Sequence, residues 1–418
     1  MRGYNRGVDK TIASRAVGEG ASIEQAGRAL ILASLLANMG FNFIFPLLPL
    51  YVQQISGNGP ATAFWAGLVM AATPMAGAMV SPLWGRMADR LGYRPMLIRA
   101  LTGTAIVTLL IALPNAPWQL VILRAGVGVL GSIQPIAMGA LTSWSKPEDL
   151  SKAISRLQMA QVLGVIVGPL AGGIITATLG IRFVPVVSAA AFVMGMLVVV
   201  RWFKEPKTKR VPLRGAGVHL NPTLLWLPMV TLVAVQFTDA SFNPILPLLL
   251  AQTGIDPGEV ATLTGLAASF NASAAAVGAG LAGRGLRIRN RTIVIASVIL
   301  AVLAIAAIRA PVPWGVVAIR IMCGGIVSGI TVAAFSVGGL MVLPGQRGSA
   351  YGWLTSSTQV GYASSPLVSG AMAAIDLRAG MAVDAVLCLL AATGWKWSRG
   401  PIPAPASASK DVGSLTSS

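Results

Sequence analysis

Charge is what this 418-residue chain has least of: only 11% of its residues are charged, against about a quarter in a soluble domain. Acidic residues are scarcest, 13 Asp and Glu against 31 Lys and Arg, and there is one histidine and two cysteines. That scarcity removes most readings as a histidine- or cysteine-built metal centre or a disulfide framework. Cys323 and Cys388 both fall inside apolar runs, where a thiol serves as a small hydrophobe. The lone His219 lies in a polar stretch with no nucleophile to partner it. No enzyme chemistry, metal or cofactor is expected.

What is abundant is apolar sequence. The chain is 55% hydrophobic with a mean hydropathy of +0.74, and its net charge is +18. A large positive charge can mark nucleic-acid binding, but here the basic residues sit in short gaps between apolar runs about twenty residues long, the length that crosses a bilayer. The expected partner is therefore lipid and not nucleic acid. Spans are expected near 29–52, 63–83, 96–113, 118–143, 157–178 and 183–203, then near 223–251, 260–282, 292–309, 314–343, 350–374 and 381–397. The first run is too long for a signal-peptide core and lacks a clear cleavage site, so it reads as a retained helix.

Twelve spans place both termini on one side. Arg86, Arg90, Arg94, Lys146, Lys152, Lys204, Lys207, Lys209, Arg210, Arg214, Arg284, Arg287, Arg289 and Arg291 then share a face, whereas the opposite loops hold Arg182, Arg309 and Arg378. The positive-inside tendency makes the basic face cytoplasmic. The expected organisation is a cytoplasmic segment 1–28, a six-helix bundle 29–203, a linker 204–222, a second six-helix bundle 223–397, and a disordered Pro/Ala/Ser-rich tail 398–418.

The two bundles repeat one another. Pro46 and Pro49 in PLLPL align with Pro244 and Pro247 in PILPL, and the same register carries Gly67 onto Gly265, Gly85 onto Gly283 and Arg86 onto Arg284. Shifts of one or two residues carry Arg124 in PWQLVILRAGVG onto Arg320 in PWGVVAIRIMCG, and Gly164 and Pro169 onto Gly361 and Pro366. A parallel six-plus-six repeat is the organisation of transporters that move two bundles around a midplane site. An all-α membrane transporter fold is expected.

Within such a fold, ionisable residues in spans are costly, on the order of 2.5–3.5 kcal/mol at a helix centre, and mark function by default. Arg124 and Arg320 are in register across the repeat and are expected to face the central cavity, the alternative being snorkelling to the outer face. Asp239 stands mid-span on helix seven beside Gln236, Thr238 and Asn243. Asp384 lies nearer an end and reads as an interface residue. Asn38, Asn42, Gln134, Gln158, Gln161, Gln236, Asn243, Asn271 and Gln359 are candidates for a polar cavity lining, with Trp353 and Tyr362 as aromatic walls. Gly164, Gly168 and Gly172 recur every four residues, beside Pro169 and Gly173. They form a smooth face that lets a neighbour approach closely, and helix eight, with its small run from Asn271 to Gly278, is the expected neighbour.

The loop after helix two reads Gly85-Arg-Met-Ala-Asp89-Arg90-Leu-Gly92-Tyr-Arg94. With Gly164, Gly168-Pro169 and Gly172-Gly173 on helix five, and Arg124, Gly126 and Gly128 on helix four, it resembles the major facilitator superfamily. Within it the resemblance is to the 12-spanner drug:proton antiporters, over about residues 29–397. The resemblance implies that the Gly85–Arg94 loop meets the start of helix eleven, near Gly348-Ser349-Ala350, and latches an outward-open state. It also implies proton-driven efflux of small amphipathic, drug-like molecules across the bacterial inner membrane; the intramembrane positions of Asp239, Arg124 and Arg320 make them the candidate coupling charges, and a monomer is expected. Two departures are visible. Asp89 falls opposite Arg287 in the second copy, and helix one offers Asn38 and Asn42 where many of these antiporters carry an acid. An exporter or exchanger of an anionic metabolite is the alternative, favoured by two intramembrane arginines against one central carboxylate. A non-transporting receptor on the same scaffold is a third.

Overall fold

The computed structural model describes residues 24–57, 60–145, 149–205, 225–251, 257–284, 290–309, 313–343, 346–373 and 379–397. Most of the N-terminal segment, the tail, His219, Lys146, Arg287, Arg289 and Arg378 lie outside this set. Among the described residues the chain forms twelve helical stretches and no strand. They are α1 (Glu24–Ser56), α2 (Pro60–Leu91), α3 (Tyr93–Leu110), α4 (Pro117–Ser143), α5 (Leu150–Leu179) and α6 (Val184–Trp202), then α7 (Trp226–Ala251), α8 (Pro257–Gly283), α9 (Asn290–Arg309), α10 (Pro313–Leu340), α11 (Arg347–Ala373) and α12 (Ala379–Trp397). Eight contain a stretch long and apolar enough to span a bilayer by length and composition.

Two helices are interrupted for local reasons. α1 tightens into a 3-10 turn at Phe45–Leu47, where Pro46 and Pro49 remove backbone donors. α4 breaks between Leu130 and Ile133, at Gly131 and Ser132. α2 runs eight residues beyond the expected span, so Asp89 sits on its last turn and not in a loop. The helix stops where Gly92 adopts φ 104, a left-handed conformation only glycine takes without strain. Its N–H closes onto the Ala88 carbonyl at 2.9 Å.

Apolar side chains point outward along several helices. Val193, Met194, Leu197 and Val200 on α6 and Ile295, Val298, Ile299 and Val302 on α9 are exposed at helical spacing. A stripe of that kind is what a lipid-facing surface requires. The buried apolar residues form two main clusters. One belongs to the last six helices. The other joins Ala88, Tyr93, Ile136, Ala140, Ile154 and Leu157 of the first six to Ala279, Phe335, Tyr351 and Leu354 of the last six. The two sets of helices are thus sealed together at the end that carries Asp89.

The glycine stripe of α5 corrects one expectation. A methyl at Gly164 would lie 2.7 Å from the Asn38 Cβ, one at Gly168 would lie 2.5 Å from the Asn42 Cβ, and one at Gly172 would strike the Phe43 carbonyl. All three neighbours are on α1, so α1 and not α8 occupies the groove. α5 meets α8 through other residues: Ser151 donates to the Ala282 carbonyl at 3.0 Å and Ser155 to the Ala279 carbonyl at 2.5 Å. The small Gly278 of α8 faces Gly325 on α10.

Candidate functional site

A cavity of about 440 Å³ lies between α1, α2, α4 and α5 on one side and α7, α8, α10 and α11 on the other. Asn38, Asn42, Gln134, Gln158, Gln236, Asn271, Gln359 and Tyr362 line it, as do Arg124 and Asp239. The break in α4 contributes directly, because Gly131, Ser132 and Ile133 are part of the wall.

Four predicted residues stand elsewhere. Gln161 is buried off the lining with its amide nitrogen unpartnered. Trp353 packs with Leu225, Val342 and Ala350 near the sealed end. Arg320 sits behind Asp239. Asn243 lies on α7 with its side chain outside the described set. The lining also includes Thr73, Ser328, Thr331, Thr355 and Thr358, which composition did not single out. Short hydroxyl side chains can bond their own helix, as Thr331 does to the Val327 carbonyl at 2.8 Å and Thr358 to the Thr355 carbonyl at 2.7 Å, so they leave little mark against an apolar background.

The two membrane arginines differ. Arg320 donates to Asp239 Oδ1 at 2.6 Å, with the guanidinium 7% and the carboxylate 27% exposed, and its charge lies 5.4 Å from the Phe242 ring centre. Burying a charge is tolerable when it is paired and hydrogen-bonded, and this pair meets that condition with its acidic member opening on the cavity. Arg124 is equally buried but forms no ion pair among the described residues, and its Nε has no partner. Its neighbours are aromatic: the Phe45 ring centre is 6.0 Å from the guanidinium carbon, and Tyr362 is within electrostatic reach. Its backbone carbonyl accepts a hydrogen bond from Thr73 at 2.7 Å, which ties α4 to α2.

At the sealed end Asp89 accepts hydrogen bonds from Gly348 N–H at 2.9 Å, Ser349 N–H at 2.7 Å and Tyr93 O–H at 2.8 Å. Gly348 and Ser349 open α11, where backbone donors have no intrahelical acceptor and the helix dipole favours an anion. The approach depends on Gly85 and Gly348, since a methyl at Gly348 would lie 2.5 Å from Asp89 Oδ1 and 2.7 Å from the Gly85 carbonyl. Arg347 donates to the Thr142 carbonyl, and Ser356 to the Ala78 carbonyl at 2.5 Å. Arg94 turns away to the Val200 carbonyl at 2.8 Å, and Arg90 is exposed.

A helical membrane fold that closes on a polar cavity at one end, with charges buried beside the cavity and no catalytic cluster among the described residues, defines a transporter. The sequence profile of the Major Facilitator Superfamily matches residues 30–235 and 228–417, and the chain belongs to that superfamily. It is 30% identical over 380 residues to a "Multidrug resistance protein MdtG" of Salmonella heidelberg, covering 88% of this chain and 93% of that protein. To the protein of the same name from Citrobacter koseri it is 32% identical over 356 residues, covering 82% and 87%. Among solved structures, the human organic anion transporter MFSD10 superposes with a TM-score of 0.75 at 18% identity, covering 89% of this chain and 99% of that one. FucP in the outward conformation superposes at 0.73 and 14%, covering 90% and 99%. These two likenesses concern the fold.

Proposed function

We propose that the chain is a proton-coupled exporter of small amphipathic molecules, working by alternating access of its two six-helix bundles. The observation that carries this reading is the Asp239–Arg320 pair, a titratable carboxylate opening on the central cavity and held by a buried guanidinium. Protonating Asp239 would release Arg320, and a proton gradient can drive such an exchange of partners. The multidrug-resistance proteins to which the chain is similar support a drug-like substrate. The basic end is read as cytoplasmic, with both termini there and the protein in the inner membrane. The Asp89 contacts then close the cytoplasmic side, and the cavity faces outward. The test is dye or drug efflux in inverted vesicles under an imposed pH gradient. Transport should stop when an ionophore collapses the gradient, and Asp239→Asn should lose the response. Undiminished gradient-driven transport by that variant rejects the assignment.

Arg124 favours a second reading. A buried guanidinium at the cavity wall, without a carboxylate partner among the described residues, is a ready partner for an anionic substrate group. Arg124→Gln separates the two: selective loss of anionic substrates supports the anion reading, and equal loss of neutral and cationic ones does not.

A further inference from the structure

Asp384 on α12 lies outside the cavity lining and is fully buried. Its Oδ2 is 2.6 Å from Ser241 Oγ on α7, and that same Oγ is 3.0 Å from the Thr238 carbonyl. A serine hydroxyl carries one hydrogen. That hydrogen can serve only one of the two acceptors at a time, and when it turns to the Thr238 carbonyl a proton on the carboxyl group is what keeps the 2.6 Å contact. Asp384 Oδ1 is buried with no hydrogen-bond partner, and no ion pair to Asp384 forms among the described residues. A carboxylate with a bare oxygen in apolar surroundings is costly, whereas the neutral acid is not.

Side chains of five helices surround Asp384 and its neighbours. α7 supplies Ser241, Thr238 and Asp239, and α10 supplies Arg320 and Cys323. α12 itself supplies Cys388, whose sulfur is 3.5 Å from Thr238 Oγ1. α9 contributes apolar Leu300, Ala301 and Ala304 to the same cluster, and α11 brings Tyr362 near Asp239. Among the described residues the only cation in electrostatic reach is Arg320, which is already engaged by Asp239.

We propose that Asp384 is a second proton site inside the membrane, protonated in this conformation, which exchanges roles with Asp239 around Arg320. When the Asp384 O–H bond breaks, its proton passing to water admitted from the cytoplasmic side in the opposite conformation, the new carboxylate draws the Arg320 guanidinium. Asp239, released, forms an O–H bond with a proton taken from the cavity. The guanidinium stays cationic throughout, so one buried carboxylate is always paired and the other always neutral. The proposal rests on the proton-coupled reading above and adds the group that keeps the second carboxyl neutral.

Two measurements on the full chain in lipid test it. Infrared spectroscopy should show a protonated-carboxyl C=O band that Asp384→Asn removes and Ser241→Ala shifts. A wild type without the band, or a band that neither variant moves, overturns the proposal. In proteoliposomes, substrate-driven proton movement should be lost in Asp384→Asn and restored in Asp384→Glu. A wild-type proton-to-substrate ratio in Asp384→Asn overturns it, as does an Asp384→Asn protein that no longer binds dye, since the role is then structural. If the wild type moves no protons with its substrate, coupled transport itself is wrong, and an intact infrared band separates that failure from an error about Asp384.

Discussion

Arg124 and Arg320 occupy equivalent places in two copies of one repeat, each following a Pro-Trp helix start and each buried beside the same cavity. Their surroundings have diverged. The second copy gives its arginine a carboxylate at 2.6 Å, and the first gives its arginine aromatic rings and an unpartnered Nε. A repeat therefore preserves where charge is buried but not how it is neutralised. The scaffold, its prolines and its close helix contacts are shared, whereas the acids are distributed unequally: Asp89 latches one end from the first half, while Asp239 and Asp384 lie in the second.

The largest effect is expected on removal of one member of the Asp239–Arg320 pair. Arg320→Gln leaves Asp239 without its cation, and losing one partner of a buried pair costs about 3–5 kcal/mol. Unfolding in nanodiscs should show a loss of that order, and Asp239→Asn/Arg320→Gln should recover most of it. If the double variant is as unstable as the single, the pair is not what holds α7 to α10.

Next in size is the latch. Asp89→Asn exchanges a carboxylate that accepts two helix N–H groups for a neutral amide, and hydrogen bonds to a charged group are worth about 1.5–3 kcal/mol. Spin labels at the exposed Arg90 and Arg284, one in each half at the sealed end, should move to longer separations. An unchanged distance distribution would mean that the apolar seal of Tyr351, Leu354 and Ala279 is sufficient alone.

Smaller again is the α1–α5 groove. Gly168→Ala places a methyl 2.5 Å from the Asn42 Cβ, and overpacking of that kind costs about 1–3 kcal/mol. Gly173 is its control: a methyl there meets nothing within 4 Å, so Gly173→Ala should change stability by less than about 0.5 kcal/mol. Equal effects at the two positions would reduce the stripe to a matter of backbone entropy.

These contrasts also mark what could be read in advance. The helices, the repeat marked by Pro46 and Pro49, and most of the polar lining from Asn38 to Gln359 follow from hydropathy, proline and amide residues standing out against an apolar background. The smoothness of the Gly164–Gly172 face was legible but its neighbour was not, because a periodic stripe fixes which side of a helix is flat and not which helix lies on it. α1 and α8 both offered small or amide residues, and only packing chose α1. Asp239 and Arg320 were each conspicuous, but their pairing depends on the rotation of α7 against α10. Asp384 was the least legible. Its place near a helix end suggested an interface, while its burial against Ser241 comes from α12 packing on α7.

The smallest effect on stability is expected at Arg124. If its charge has no partner in the protein, Arg124→Gln removes a desolvated cation without orphaning any carboxylate. Replacing a buried charge by a neutral group of similar size is then neutral or stabilising, the opposite of the effect at Arg320. Unfolding of the variant should show no loss, or a small gain, while binding of an anionic dye falls and binding of a cationic one does not. A destabilisation matching that of Arg320→Gln would mean that Arg124 is compensated after all, by a group beyond the described residues. The two arginines would then be equivalent in chemistry as well as in sequence.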